Sequence, residues 1–149
     1  FNKNNIHNCS FKFLCGYGTN PKVLNKLKAK YRNVDISDFT SDIKGFLTSI
    51  DCLVYPSIYN EGTPKILLEA LAAGCAIVTT NKPGCLETIT NGVNGYLLEN
   101  NNPETIAHAM KSYLNLNNKQ KQVFSKESIL LAKNKFDEKY VIAKYLNSL

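Results

Sequence analysis

Short apolar runs that favour β-strands alternate with helical segments along most of this chain, and this alternation is the feature that most limits its fold. The apolar runs are Phe11 to Cys15, Val34 to Ile36, Cys52 to Tyr55, Ala76 to Thr79 and Tyr96 to Leu98. Parallel strands need a long crossover connection, which is usually a helix. The alternation therefore predicts an α/β fold built of βαβ units, with a Rossmann-like, doubly wound parallel sheet.

Helical periodicity and capping residues place the helices in the intervals between these runs. Within the alternating part, helices are predicted over Pro21 to Tyr31, Asp42 to Ile50 and Thr63 to Gly74. Asn20 and Thr63 are the expected N-caps of the first and third helices, each followed by a proline. After the last strand, helices are predicted over Pro103 to Leu114, Gln120 to Lys135 and Asp137 to Leu149.

The chain length fits one domain. Its 149 residues, of which 44% are hydrophobic, are enough for a sizeable core. We predict a single domain over 1–149, with a βα core over about residues 1–116 and C-terminal helices over 117–149. The longest apolar stretch, Ile66 to Val78, contains Glu69 and Gly74 and is shorter than the roughly 18 residues of a membrane-spanning helix. No membrane span is predicted.

The net charge of +6, from 18 basic and 12 acidic side chains, favours an anionic partner. Sugar nucleotides, an anionic lipid surface and nucleic acid all meet that condition. The lysines of the first helix and of the C-terminal helices have no interleaved aromatic residues, so no nucleic-acid partner is predicted. Solvation is the ordinary role of such lysines, and association with a membrane surface through these basic residues is the alternative.

The five cysteines are predicted to be buried thiols. Their number is odd, they form no Cys-x-x-Cys pair, and most of them lie in apolar runs. Such usage is typical of a reducing compartment. We therefore predict a cytoplasmic protein, with peripheral attachment at the inner face of the cell membrane as the alternative to a freely diffusing one.

The loop after the third predicted strand is the best candidate for a ligand site, because ligands of such sheets bind outside the carboxyl ends of the strands. This loop carries Glu61 and Gly62, and a helix with free backbone amides around Thr63 to Ile66 follows it. A helix N-terminus of this kind, with Lys65 nearby, is suited to a phosphate or diphosphate. Gly62 allows close approach of the backbone.

Two carboxylates flank this helix N-terminus. Glu61 precedes it and Glu69 lies more than one turn inside the helix, an arrangement suited to the hydroxyl groups of a sugar. The alternative is that Glu69 is structural, capping a neighbour or facing water. The apolar residues around Glu69 weaken that alternative, because a buried carboxylate needs a partner. The two histidines lie far apart in sequence without a cluster at ligand spacing, so no metal site is predicted.

The motif Glu61-Gly62-Thr63-Pro64, with Glu69 eight positions after Glu61, resembles the Glu-x7-Glu signature of glycosyltransferase family four. Further matches are Pro56-Ser57 before this motif and Pro83-Gly84-Cys85 after it. The resemblance extends over about Phe11 to Leu116. It implies that the chain is the C-terminal, nucleotide-sugar-binding half of a two-domain GT-B enzyme.

The resemblance also implies a role for each motif residue. Glu61 is the catalytic residue and contacts hydroxyls of the donor sugar, while Glu69 binds the ribose. The donor sugar and diphosphate are held by Gly62, Thr63, Pro64, Lys65 and Ile66, and the base by Ser37, Asp38 and Phe39. Gly16, in a glycine-containing turn after the first strand, is predicted to lie near the ligand.

The implied reaction is retaining transfer from a UDP-sugar, often an N-acetylhexosamine, to a lipid-linked or polysaccharide acceptor in bacterial surface glycan synthesis. The helix N-terminus and basic residues balance the leaving diphosphate, so neither a metal nor another cofactor is expected.

The chain departs from the family pattern in three ways. The Arg strand and Lys-Gly helix that usually open this domain are missing before Phe11, as is the acceptor-binding N-terminal domain. The Ser57 to Glu61 stretch is also one residue longer than the common form. We expect this fragment, lacking its first βα unit, to bind donor weakly and to be inactive alone. The rival hypothesis is a non-catalytic Rossmann-like nucleotide-binding or interaction module.

Overall fold

The computed structural model describes residues 9–14, 20–31, 34–37 and 40–147. Strands and helices alternate in these ranges as predicted. The strands are β1 (Phe11–Leu14), β2 (Val34–Ser37), β3 (Cys52–Tyr55), β4 (Ala76–Thr80) and β5 (Gly95–Leu98). The helices are α1 (Pro21–Lys30), α2 (Ile43–Thr48), α3 (Lys65–Ala72), α4 (Pro83–Leu86), α5 (Pro103–Leu114), α6 (Asn118–Phe136) and α7 (Glu138–Leu146).

All strand pairs that the structure describes are parallel, which confirms the predicted α/β class. β1 pairs with β2 in one sheet, and β3, β4 and β5 follow one another in a second sheet. Residues 1–43 and 44–149 form two compact units. The prediction of a single domain over 1–149 stays a prediction.

The first unit contains β1, α1 and β2. The Oδ1 atom of Asn20 accepts a hydrogen bond from the amide of Lys22 at 2.9 Å, which confirms the predicted N-cap of α1. Pro21 occupies the start of the helix, where its missing N–H costs nothing. None of the α1 side chains is buried, so its lysines face solvent.

The second unit is built around β4. All five residues of this strand are buried, as expected for the middle strand of a parallel sheet that is covered on both faces. Val78 packs with Ala109 of α5, while Ala76 packs with Tyr113 of α5 and Phe124 of α6. Leu67, Ala70 and Leu71 of α3 are fully buried as well.

Helix α6 belongs to this core. The Phe124 ring lies 5.7 Å from that of Tyr96 and 6.4 Å from that of Tyr113, between ring centroids. The buried Ser128 hydroxyl donates to the carbonyl of Cys75 at 2.7 Å. At the other end of the helix, Lys135 forms an ion pair with Glu87. Residues beyond 116 therefore complete the core.

The cysteines that the structure describes are all free thiols. Cys75 and Cys85 are buried, whereas Cys9 and Cys52 are partly buried and Cys15 lies outside the described residues. Burial raises the pKa of the Cys52 thiol to about 12 and that of Cys75 to about 11. These two groups therefore stay protonated at neutral pH. Among the described helices, none has the length and apolar character needed to cross a membrane.

Helix α3 ends in a Schellman motif, as the glycine at position 74 predicts. The amide of Cys75 donates to the carbonyl of Ala70 at 2.9 Å, and that of Gly74 donates to Leu71 at 3.0 Å. Gly74 has φ of +78°, and a Cβ atom there would lie 2.7 Å from Ser125 Oγ of α6. The turn thus requires glycine for its conformation and for the approach of α6.

We expect Gly74→Ala to lower the free energy of unfolding by about 2 kcal/mol or more, the sum of left-handed strain and a crowded contact. Gly92→Ala is the matched control, since Gly92 has the same φ of +78° with no atom within 4 Å of a built Cβ. It should cost about 1 kcal/mol, for strain alone. Urea denaturation measures both. Equal costs would contradict a tight α3–α6 contact at Gly74.

Candidate functional site

The candidate site lies at the carboxyl end of β3, in the β3–α3 loop (residues 56–64). The loop leads from Tyr55, the last residue of β3, to Lys65, the first residue of α3. Parallel pairing brings the end of β4 to the same edge, because Tyr55 is in register with Thr79. The strand register therefore places the end of β4 beside the loop that leads into α3.

The Glu61 side chain is held by two hydroxyl groups. Its Oε1 atom accepts a hydrogen bond from the Tyr55 hydroxyl at 3.1 Å and another from Ser57 Oγ at 2.9 Å. The Glu61 residue is otherwise exposed. Burial, together with the adjacent Glu61 carboxylate, raises the pKa of the Tyr55 hydroxyl. Tyr55 thus remains a hydrogen-bond donor at neutral pH.

Polar side chains beneath the loop hold its backbone. Thr79 Oγ1 donates to the carbonyl of Tyr55 at 2.8 Å. The carbonyl of Ser57 accepts from Thr80 Oγ1 at 2.8 Å and from Asn101 Nδ2 at 3.2 Å. Thr79 and Thr80 are buried. The two residues that hold Glu61 are therefore fixed to the sheet through their own carbonyl groups.

Helix α4 supports the far end of the loop through Gly84. A Cβ atom at this buried position would overlap the backbone of Glu61 and Gly62, whose carbonyl oxygens lie against it. The short helix was not predicted. Its Pro83-Gly84-Cys85 sequence matches the family motif, and the structure gives the physical reason for the glycine: the loop rests on it.

Helix α3 begins one residue later than predicted. Thr63 is not its N-cap: Pro64 occupies that position, with φ of −63° and ψ of 128°, and no side chain caps the helix. Proline fixes φ but leaves ψ free, so the buried Pro64 stays extended and Lys65 becomes the first helical residue. Among the described residues, no group accepts from the amides of Lys65 and Ile66. These free donors, beside the exposed Gly62, can bind an anion.

Glu69 is half-buried and paired with one cation. The exposed fraction of its side chain is 36%, and its Oε1 atom lies 3.4 Å from Nζ of Lys65, which is 88% exposed. The expectation that apolar neighbours would bury this carboxylate is thus met only in part. A pair with so exposed a lysine contributes little to stability. The Glu69 carboxylate is therefore available to a ligand at small cost.

The predicted site residues fall into two groups. Glu61, Gly62, Thr63, Pro64, Lys65, Ile66 and Glu69 lie together between the end of β3 and the second turn of α3. Gly16, Asp38 and Phe39 lie outside the described residues, and Ser37 ends β2. The assignment of this second group to the ligand stays a prediction.

Sequence reasoning missed the residues that hold the loop. Ser57 and Gly84 entered only as parts of matching motifs, and Tyr55, Thr79 and Asn101 were given no role at the site. One signal was present: the apolar β4 strand ends in two threonines at its carboxyl edge. Buried hydroxyls at a strand end need acceptors, which here are loop carbonyls.

We expect Gly84→Ala to lower the free energy of unfolding by about 1–3 kcal/mol, as overpacking against rigid backbone does. Gly62→Ala is the control, since no atom lies within 4 Å of a Cβ built there. It should change stability by less than about 0.5 kcal/mol. Denaturant titration compares the two. If Gly84→Ala proved as stable as Gly62→Ala, α4 would not support the loop.

Relatives and solved structures resemble the chain over most of its length. The capsular polysaccharide biosynthesis glycosyltransferase CapM of Staphylococcus aureus is 27% identical over 122 residues, covering 71% of this chain and 32% of CapM. The N,N'-diacetylbacillosaminyl-diphospho-undecaprenol alpha-1,3-N-acetylgalactosaminyltransferase of Campylobacter jejuni is 33% identical over 112 residues, covering 71% of this chain and 27% of that enzyme. The chain thus spans less than a third of either relative.

The fold matches that of glycosyltransferase structures. Anabaena HepE, crystallised in complex with UDP, superposes with a TM-score of 0.80 at 20% identity, covering 95% of this chain and 41% of HepE. This likeness confirms the α/β fold that the GT-B resemblance implies. Residues 3–129 match the family model for glycosyl transferases group 1. The chain therefore belongs to the group 1 family of glycosyl transferases.

Proposed function

We propose that this chain is the donor-binding domain of a retaining glycosyltransferase that uses a UDP-sugar. The observation that carries the proposal is a free helix N-terminus with a carboxylate on each side. Glu61 is held at the loop before the helix, and Glu69 lies one turn inside it. An anion site flanked by two carboxylates fits a diphosphate that links two groups rich in hydroxyls.

The free amides at the start of α3 are assigned to the diphosphate. The positive end of the helix dipole and the Lys65 ammonium group stabilise negative charge there. As the bond to the donor sugar breaks, charge grows on the diphosphate, and fixed donors stabilise that state more than the ground state. The proposal requires no metal ion.

Glu61 is assigned to the donor sugar and Glu69 to the ribose. Glu61 lies on the loop outside the helix, so it reaches the sugar side of the diphosphate, where positive charge develops during transfer. Glu69 lies on the helix and accepts from ribose hydroxyls. HepE, which shares the fold, has been crystallised with UDP, and this supports uridine as the nucleoside.

The acceptor is proposed to be a lipid-linked sugar or a growing polysaccharide of the bacterial surface. Two relatives support this class by name: CapM in capsular polysaccharide biosynthesis and the C. jejuni enzyme acting on a diphospho-undecaprenol sugar. Acceptor-binding residues are assigned to a further domain, because the chain matches under a third of each relative. The non-catalytic module remains the competing hypothesis.

We expect substitution of Glu69 to affect ligand binding and substitution of Glu61 to affect turnover. The chain should bind UDP with a Kd of about 0.1–1 mM. Glu69→Ala should weaken both UDP and uridine roughly tenfold or more, because a charged hydrogen bond is worth about 1.5–3 kcal/mol. Glu61→Ala should leave UDP affinity unchanged but lower turnover of the two-domain enzyme about a hundredfold. Calorimetry and UDP release measure these effects.

Glu138→Ala, at an exposed carboxylate of α7, is the control and should change neither quantity. Preference for NAD over UDP would contradict the transferase assignment. Unchanged UDP binding by Glu69→Ala would make Glu69 structural, and parental turnover by Glu61→Ala would show that the motif is misaligned.

We also propose peripheral association with an anionic membrane surface through the basic face of α6. The outer face of α6 carries exposed Lys119, Lys126 and Lys133 at seven-residue spacing. Val123 and Leu130 lie between them, each 47% exposed. Lysines attract anionic headgroups while the aliphatic side chains enter the interface.

Replacing Lys119, Lys126 and Lys133 together by alanine should weaken binding to phosphatidylglycerol vesicles by roughly a hundredfold, at about 1 kcal/mol per lysine. Co-sedimentation measures vesicle binding by the parent and the variant, with neutral phosphatidylcholine vesicles as the control. Equal binding to both vesicle types would argue against the proposal.

A further inference from the structure

The Glu61 carboxylate is held through only one of its two oxygens. Both hydroxyl donors, from Tyr55 and Ser57, point to Oε1. Among the described residues, no group donates to Oε2. One oxygen is therefore held, while the other has no donor on an exposed residue and can accept from an incoming hydroxyl group.

The two donors differ from Glu61 in how firmly the fold holds them. Tyr55 is part of β3, and its carbonyl accepts from Thr79 Oγ1. The carbonyl of Ser57 accepts from Thr80 and Asn101. Glu61 itself lies on an exposed loop, and its neighbours Ile58 and Tyr59 are 63% and 70% exposed. The two hydroxyls therefore join an exposed side chain to residues that are bonded to the sheet edge.

A glutamate side chain without such contacts samples several rotamers. Two hydrogen bonds from different directions to one oxygen select a single orientation before any ligand arrives. Reaction rates depend steeply on the placement of charged groups, and a displacement of about 1 Å can cost a hundredfold in turnover. The orientation of Glu61 thus matters for turnover even where it adds little to binding.

We propose that Tyr55 and Ser57 are positioning residues, which hold the Glu61 carboxylate so that its free oxygen faces the donor sugar. This inference rests on the proposed function and deepens it. Raised by burial and by Glu61, the pKa of the Tyr55 hydroxyl keeps this donor protonated across the neutral range. The Tyr55 hydroxyl is therefore available as a donor to Glu61 at neutral pH.

The test uses the complete two-domain protein and variants Tyr55→Phe and Ser57→Ala, singly and together. The substrate is whichever of UDP-glucose, UDP-galactose and their N-acetylated forms the parent hydrolyses fastest. Each single variant should lower kcat about tenfold, and the double variant should approach the loss seen with Glu61→Ala. KM for the donor and the Kd of UDP should change less than threefold. Ser57→Thr, which keeps the hydroxyl, should restore most of the rate.

A mutant cycle separates positioning from general damage to the fold. On the Glu61→Ala background, Tyr55→Phe and Ser57→Ala should cause no further loss, because the group they position is gone. Tyr59→Phe is the matched control: it removes a tyrosine hydroxyl from the same loop, and the parental rate is expected because the Tyr59 side chain is exposed.

The outcomes distinguish this inference from the proposed function. If the parent binds UDP and turns over the donor, but Tyr55→Phe and Ser57→Ala keep the parental kcat, only the inference is overturned. The inference is also overturned if Tyr55→Phe and Ser57→Ala lower kcat by the same factor on the Glu61→Ala background as on the parental background. If the parent neither binds UDP nor releases it from any of the four donors, the proposed function fails and the inference fails with it.

Discussion

The parallel register between β3 and β4 is the constraint on which the rest of the candidate site depends. It places Tyr55 beside Thr79, so the end of one strand can hold the loop that leaves the other. Thr79 and Thr80 then fix the carbonyls of Tyr55 and Ser57, and these residues fix Glu61. A shift of one residue would turn each threonine to the other face of the sheet, and the chain of contacts from strand to carboxylate would be lost.

Strands and capped helices were predictable because each depends on a local pattern. β3 has the predicted bounds, and Asn20 caps α1 as expected. Asn102 caps α5 in the same way, through its side-chain oxygen. The N-cap of α3 was predicted wrongly at Thr63. Pro64 fits the local signal both as the N-cap and as the first helical residue, and tertiary packing decides between these two positions. Burial of Pro64 in an extended conformation moved the helix start to Lys65.

The location of the site and its charged residues were predictable from the sequence, but the contacts within the site were not. Periodicity and a motif located Glu61, Glu69 and the helix N-terminus. The bonds from Tyr55 and Ser57 to Glu61 cross an irregular loop, whose geometry follows no repeat. Likewise, the role of Gly84 depends on a backbone that is distant in sequence. Such contacts arise from the fold as a whole.

The β3–α3 loop is fixed at both ends and free at its crest. Its ends are tied to β4, Asn101 and Gly84, whereas Ile58 and Tyr59 project into solvent. This crest lies within the Ser57 to Glu61 stretch, for which one residue more than the common family form is predicted. A change at this crest alters the exposed surface and leaves the two hydrogen bonds to Glu61 in place. The exposed middle of the loop can therefore change in length and sequence, whereas residues at its two ends cannot be replaced without disturbing the contacts around the Glu61 carboxylate.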